Sequence, residues 1–137
     1  MGVTIAASFY AWKKQSLFGT LMMNPYRINH QKQYYRFITS GFIHKDHVHL
    51  LLNMFSFYFF GLAIEEIFQV LFGPLAGGIY FLALYVIAIV VSDLPTYLKH
   101  RNDPAYNSLG ASGAVSAVIG AFIIFQPLNL ICIYIAL

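Results

Sequence analysis

The sequence predicts an all-α, polytopic transmembrane helical bundle, and three observations carry that reading. Of its 137 residues, 59% are hydrophobic and only 9% are charged, against roughly 25% charged in an ordinary soluble domain. Mean hydropathy is +0.67, the balance of a chain whose solvent is largely hydrocarbon. Three apolar runs, residues 48–64, 74–92 and 109–125, each approach the ~17–25 residues with which a helix crosses a bilayer.

In chain order, residues 3–12 are apolar but amount to about half a span and end at Lys13 and Lys14. They lack the basic residues and cleavage site of a secretory signal, so residues 1–12 read as the tail of a truncated span. Residues 13–46 are mixed, with helix breakers in "MMNPYRINH" and an aromatic-basic "QYYRF", the composition of a structured extramembrane or interfacial loop. Spans are expected at 47–66, 74–92 and 109–126. Residues 65–73 read as a short turn built on Glu65, Glu66 and Gly73-Pro74, and residues 93–108, "DLPTYLKHRNDPAYNS", as a polar connection long enough to cover the mouth of a bundle. Residues 128–137 form a last apolar run. No internal repeat or low-complexity segment interrupts this single membrane domain.

Composition also excludes function classes. Eight Lys/Arg against five Asp/Glu is too small a bias for nucleic acid, and no aromatic-basic groove pattern accompanies it. The single cysteine, Cys132, excludes an internal disulfide and a metal site built on several thiolates.

Parity fixes where the polar residues fall. If the three spans each cross once, the starts of the first and third lie on one membrane face. His44, His49 and Asn53 gather at the first of these starts and Ser112 at the other, so all four are expected at similar, shallow depth. His49 and Asn53, four apart, share a helix face. Polar groups inside a bilayer are costly unless they are paired or face a cavity.

Ser112 lies in the first turn of its span, where backbone N–H groups have no intrahelical partner and the dipole favours negative charge. Gly113, Ala117 and Ala121 form a small-residue stripe that lets another helix come close. Taken singly, these residues leave alternatives open. A serine in a membrane helix can back-bond to a carbonyl, bridge helices or act as a nucleophile. His49 with Asn53 can be an interhelical hydrogen-bonding pair or part of a site. His44, His47 and His49 do not make a metal site, because His44 precedes the helix and the other two point to different faces. A small transporter would need a polar path through the span, whereas here the polar residues gather at one end.

Taken together, the residues resemble a rhomboid intramembrane serine protease. "GASGA", residues 110–114, resembles the family's Gly-x-Ser-Gly motif. "HKDHVHLLLN", residues 44–53, resembles its His-x4-His-x3-Asn motif, and "YYRFITSGFIH", residues 34–44, is similar to the end of its first loop. The resemblance implies Ser112 as nucleophile, His49 and Asn53 as oxyanion-hole side chains beside the Ser112 backbone N–H, and His44, Gly110 and Gly113 as structural support. It makes residues 106–109 the loop over the serine. The general base implied is a histidine on a sixth span, and no histidine follows His100. The chain therefore reads as an interior fragment, inactive alone, whose base lies outside it. The partners implied are transmembrane protein substrates and the lipid bilayer. No metal or organic cofactor is implied, and oligomeric state stays open. The alternative is a non-catalytic rhomboid-like binder of transmembrane clients. Every Lys and Arg of the connections falls on the serine face, which by the positive-inside rule alone would be cytoplasmic. The resemblance instead turns that face away from the cytoplasm, in a bacterial inner membrane.

Overall fold

A computed structural model describes residues 1–126 of the chain. The apolar run 128–137 and Cys132 lie outside the described residues. Among the described residues every regular element is a helix and none is a strand, as the composition leads one to expect.

Helix α1, Gly2–Lys13, buries Thr4, Ser8 and Ala11. Their spacing of four and three puts small side chains on one face and brings this helix close to its neighbours. Three short helices follow, α2 (Gln15–Leu21), α3 (Pro25–Gln31) and α4 (Arg36–Thr39), then a 3-10 turn, Ser40–Phe42. Arg36, only 1% exposed, organises this region. It donates to Gln33 Oε1 at 2.6 Å and to the carbonyls of Gly19 and Met22 at 3.0 and 2.7 Å, carbonyls that short helices cannot satisfy internally. Burial holds its guanidinium below the usual arginine range.

Helix α5, His47–Phe72, starts at Asp46, whose carboxylate accepts the His49 N–H at 2.8 Å. Residues 65–72, expected as a turn, instead continue α5. No breaker precedes Gly73-Pro74, and Gln69 donates back to Glu65 at 3.4 Å one turn earlier. The whole connection is Gly73, at φ +85°, a left-handed conformation that favours glycine. Helix α6, Pro74–His100, has proline at its first position. A Cβ on Gly77 would lie 2.5 Å from the backbone N of Gln69, so only glycine permits this approach of α6 to α5.

The expected end of that span at residue 92 also shifts, because α6 runs on through Pro95 to His100. Proline removes one ladder donor, but tertiary contacts secure the far side. Tyr97 donates to Asn29 Oδ1 at 3.3 Å and sets its ring edge against Phe37 at 5.4 Å. Helix α7, Ser112–Phe125, begins at Ser112 and not at residue 109, because Gly110 at φ +115° turns the chain just before it.

α5, α6 and α7 meet around Ile64, Tyr85, Ile89, Ala114, Val115 and Val118. His49 near the start of α5 faces Gly110 ahead of α7, and Phe68 near the end of α5 meets Phe125 at 5.9 Å, so these two helices run the same way. α6 runs opposite to them, with Gly77 at the end of α5 and Ser92 at the start of α7. By length and composition α5 and α6 can each cross a membrane, and α7 is a shorter apolar helix. Their outer faces carry exposed Leu51, Phe55, Phe59, Leu62, Leu75 and Ile79, far more apolar surface than water tolerates. This is the surface of an integral membrane protein.

Candidate functional site

The site forms where the start of α5 meets the start of α7. Sequence alone separates its parts by more than sixty positions, and hydrogen bonds from the connector between α4 and α5 bring them together. The Gly110 N–H donates to the Ser40 carbonyl at 2.9 Å. The Ala111 N–H donates to His44 Nε2 at 3.3 Å. Both bonds pin the two residues that precede Ser112.

His44 is fully buried, and its tautomer follows from its partners. Nε2 accepts from Ala111, so the ring proton sits on Nδ1 and donates to Ser8 Oγ at 3.2 Å. The Ser8 hydroxyl then donates to the Phe42 carbonyl at 3.3 Å. The Trp12 indole N–H closes the frame on the His44 carbonyl at 2.8 Å. Burial, and secondarily the neighbouring His49, pushes the His44 pKa down to about 4. The imidazole is therefore a neutral structural bracket at physiological pH.

His49 is half-buried and stands edge-on to His44, ring centroids 5.0 Å apart at 71°. A Cβ on Gly110 would lie 2.6 Å from its Cε1, so the glycine opens the space in which the imidazole lies beside the approach to Ser112. Asn53, one turn deeper on the same face, is buried and donates from Nδ2 to the His49 carbonyl at 2.8 Å. An amide nitrogen has two protons, and the second is not engaged among the described residues. His47 departs from this group and stacks on Trp12 at 4.3 Å.

Ser112 is exposed, and its hydroxyl makes no hydrogen bond among the described residues. It opens α7 without a side-chain cap, so the N–H groups of the first turn point outward unused. Gly113 faces α6, where an added Cβ would overlap the Ser92 hydroxyl. That is the close approach expected of a small residue, whereas Gly120 has nothing within 4 Å of its Cβ position. Beside Ser112 lies a polar cavity of about 210 Å³, to which Ser40, Ser92, Asp93, Thr96 and Gly113 also contribute.

The connection between α6 and α7 is tied down from the opposite side. Met23 and Ser108 exchange backbone hydrogen bonds of 3.0 and 3.1 Å. The Asn24 amide reaches the carbonyls of Pro104 and Tyr106 at 3.3 Å and Asn107 Oδ1 at 3.0 Å, and its Oδ1 caps α3 through the Arg27 N–H at 2.8 Å. Tyr106 stacks on His100 at 3.7 Å. Sequence reading did not single out Asn24, Ser8 or Trp12 as parts of the site. Asn24-Pro25 carries the signature of a helix start, but nothing local signals its second role.

The rhomboid domain family model matches residues 31–137. The chain is 31% identical over 110 residues to the rhomboid protease GlpG of Haemophilus influenzae, an alignment covering 80% of this chain and 50% of that protein. It is 33% identical over 97 residues to the mitochondrial RHOMBOID-like protein 12 of Arabidopsis thaliana, covering 66% of this chain and 29% of that one. The chain thus spans half or less of the length of these relatives. No solved structure matches it at a significant level.

Proposed function

The chain belongs to the rhomboid family, and from that premise we propose that Ser112 is the nucleophile of an intramembrane serine endopeptidase acting on transmembrane or membrane-proximal protein substrates. The observation that carries the reading is the exposed Ser112 hydroxyl, without a hydrogen bond among the described residues, at an uncapped helix start whose preceding Gly110 lies against the His49 imidazole. Its Oγ attacks the scissile carbonyl carbon to form a tetrahedral intermediate, whose collapse breaks the C–N bond as the leaving amine receives the proton given up by the Ser112 hydroxyl. The tetrahedral oxyanion is held by the Ser112 N–H, by His49 and by the spare N–H of Asn53. His44 holds the Ala111 peptide, and through it the Ser112 N–H, in place. The proton acceptor is a histidine supplied from outside this chain. A bacterial inner membrane, with the serine end turned away from the cytoplasm, is the setting we propose.

A second reading, a non-catalytic binder of transmembrane clients, is favoured by one observation: no ring nitrogen bonds to the Ser112 hydroxyl among the described residues. A serine-directed fluorophosphonate decides between the two. With the protein expressed from its full reading frame, labelling lost in Ser112→Ala supports the endopeptidase, and absence of labelling supports the binder. In residues 1–137 alone no labelling is expected. Labelling of that fragment that requires both Ser112 and His49 would make His49 the base and overturn its oxyanion role.

A further inference from the structure

His47 is the histidine of the α5 start that the frame around Ser112 does not use, and it stands at the head of a second cavity. This one, about 320 Å³, is an apolar groove between α1 and α5, lined by Ile5, Phe9, His47, Leu50, Leu51 and Met54. Leu50 and Met54 are buried and form its floor, while Ile5, Phe9 and Leu51 stay exposed along its sides. Met1 lies beside Phe57 and Gly61, and Trp12 beside His47, so α1 runs opposite to α5 and both walls deepen from one polar level. Seven residues of α5 separate His47 from Met54, about 10 Å of helix, or a third of a ~30 Å hydrocarbon core. The rim is aromatic and basic. Trp12 stacks on His47 at 4.3 Å, and Phe9 sets its edge against these two rings at 4.9 and 5.6 Å, an aromatic cluster of the kind found at the membrane–water interface. Lys13 and Lys14 follow Trp12, with Lys14 over the Tyr10 ring at 5.4 Å. Lys45 follows His44, whose carbonyl the Trp12 indole holds at 2.8 Å. These lysines are exposed, and none forms an ion pair among the described residues. Asp46, the acid next to them in the chain, is engaged in capping α5 through the His49 N–H at 2.8 Å.

We propose that this corner binds an anionic phospholipid, its phosphate met by Lys13, Lys45 and His47 and one acyl chain lying in the groove over Leu50 and Met54. Charge complementarity selects the occupant. Cations without a partner sit at the level of the headgroups, and an apolar groove runs down from them into hydrocarbon, so one molecule with a negative head and an apolar tail satisfies both. A zwitterionic lipid brings its own cation to the rim and gains less. A packed helix of about 10–12 Å diameter is too wide for a groove of this volume, whereas a single acyl chain is not. A lipid seated here also shields the Trp12 hydrogen bond to the His44 carbonyl from water, and so braces the connector that positions Ala111.

The test places the protein expressed from its full reading frame in phosphatidylcholine nanodiscs. These carry equal trace fractions of a phosphatidylglycerol and a phosphatidylcholine, each with a photoactivatable diazirine on the upper part of one acyl chain, and the adducts are mapped by mass spectrometry. Adducts on Ile5, Phe9 and Leu51 are expected to come from phosphatidylglycerol at least about tenfold more often, the combined pull of two or three juxtamembrane cations on an anionic head. Ile87 and Val91, exposed on α6, should show a ratio near one in the same sample. Lys13→Gln with Lys45→Gln should bring the groove ratio toward one, and Lys13→Arg with Lys45→Arg should preserve it. Equal adduct yields from the two lipids at the groove of the unaltered protein overturn the proposal without recourse to any variant. A ratio unchanged in the glutamine variant overturns it too. Labelling of Ile87 and Val91 without any at the groove would mean that a second copy or another transmembrane helix fills it, and the lipid site falls.

Discussion

Ala111 donates its backbone N–H to Nε2 of His44, across 67 positions of sequence. That single bond ties the peptide preceding Ser112 to the connector ahead of α5, and it exists only while His44 is neutral. Protonating Nε2 would set an N–H against an N–H and place an unpaired charge in a fully buried ring.

Stability should therefore fall with acidification. The His44 pKa is lowered from 6.5 to about 4 in the folded protein, so the unfolded chain takes up the proton first. The contribution is complete above about pH 6.5, is lost progressively as pH falls toward 4, and amounts to roughly 3 kcal/mol. Thermal unfolding in detergent from pH 7.5 to 4 should show this loss. In His44→Gln the slope over that window should be shallower, with lower stability at neutral pH. A slope identical in the two proteins would refute the assignment.

Gly110→Ala combines backbone strain at φ +115° with a methyl driven into the His49 ring. A loss of about 1–3 kcal/mol from strain alone is expected, read as a lowered Tm. Displacement of His49 should reduce fluorophosphonate labelling of Ser112 further than the lost stability accounts for. Gly120→Ala, where nothing lies within 4 Å, is the control and should leave both readouts near their starting values.

Asn53→Ala should leave the fold largely intact, because its amide donates to a helix carbonyl that is already in the α5 ladder. Its effect belongs on the reaction. Loss of one oxyanion donor costs about 2.7–4 kcal/mol in the barrier, a fall of roughly 100- to 1,000-fold in kcat with KM little changed. A change confined to KM would remove Asn53 from the oxyanion hole.

Asn24→Ala removes at once the cap of α3 and the clamp on residues 104–107. The cap alone is worth about 1 kcal/mol. Limited proteolysis should cut residues 101–107 faster in the variant. Asn24→Asp, which keeps the cap and loses the donor, should restore Tm but not protease resistance of the loop.

Sequence and structure agree best where the signal is local. The spacing of His49 and Asn53 places them on one face, and Gly113, the small residue expected to admit another helix, lies against Ser92 of α6. Two helices run past the ends that composition suggests, for identifiable reasons. Glu65 and Glu66 look like a solvated flank, yet a carboxylate pair does not stop a helix when the next breaker is Gly73. Residues 93–108 look like a polar connection, yet α6 runs on through Pro95 to His100, with Tyr97 held by Asn29 and Phe37. What stayed hidden is long-range. Ser8 and Trp12 meet His44 over 36 and 32 positions, and Asn24 meets its loop over 80 or more. Periodicity carries no trace of such pairings.

The two bonds that seat Gly110 and Ala111 also order events during biosynthesis. A chain made from its N-terminus presents the Ser40 carbonyl and the His44 ring long before their donors leave the ribosome. A nascent protein ending at α6 thus holds two acceptors awaiting α7, and Ser112 is seated only when that helix docks. Until then the connector carries both acceptors without the backbone donors that turn it into a bracket for Ser112.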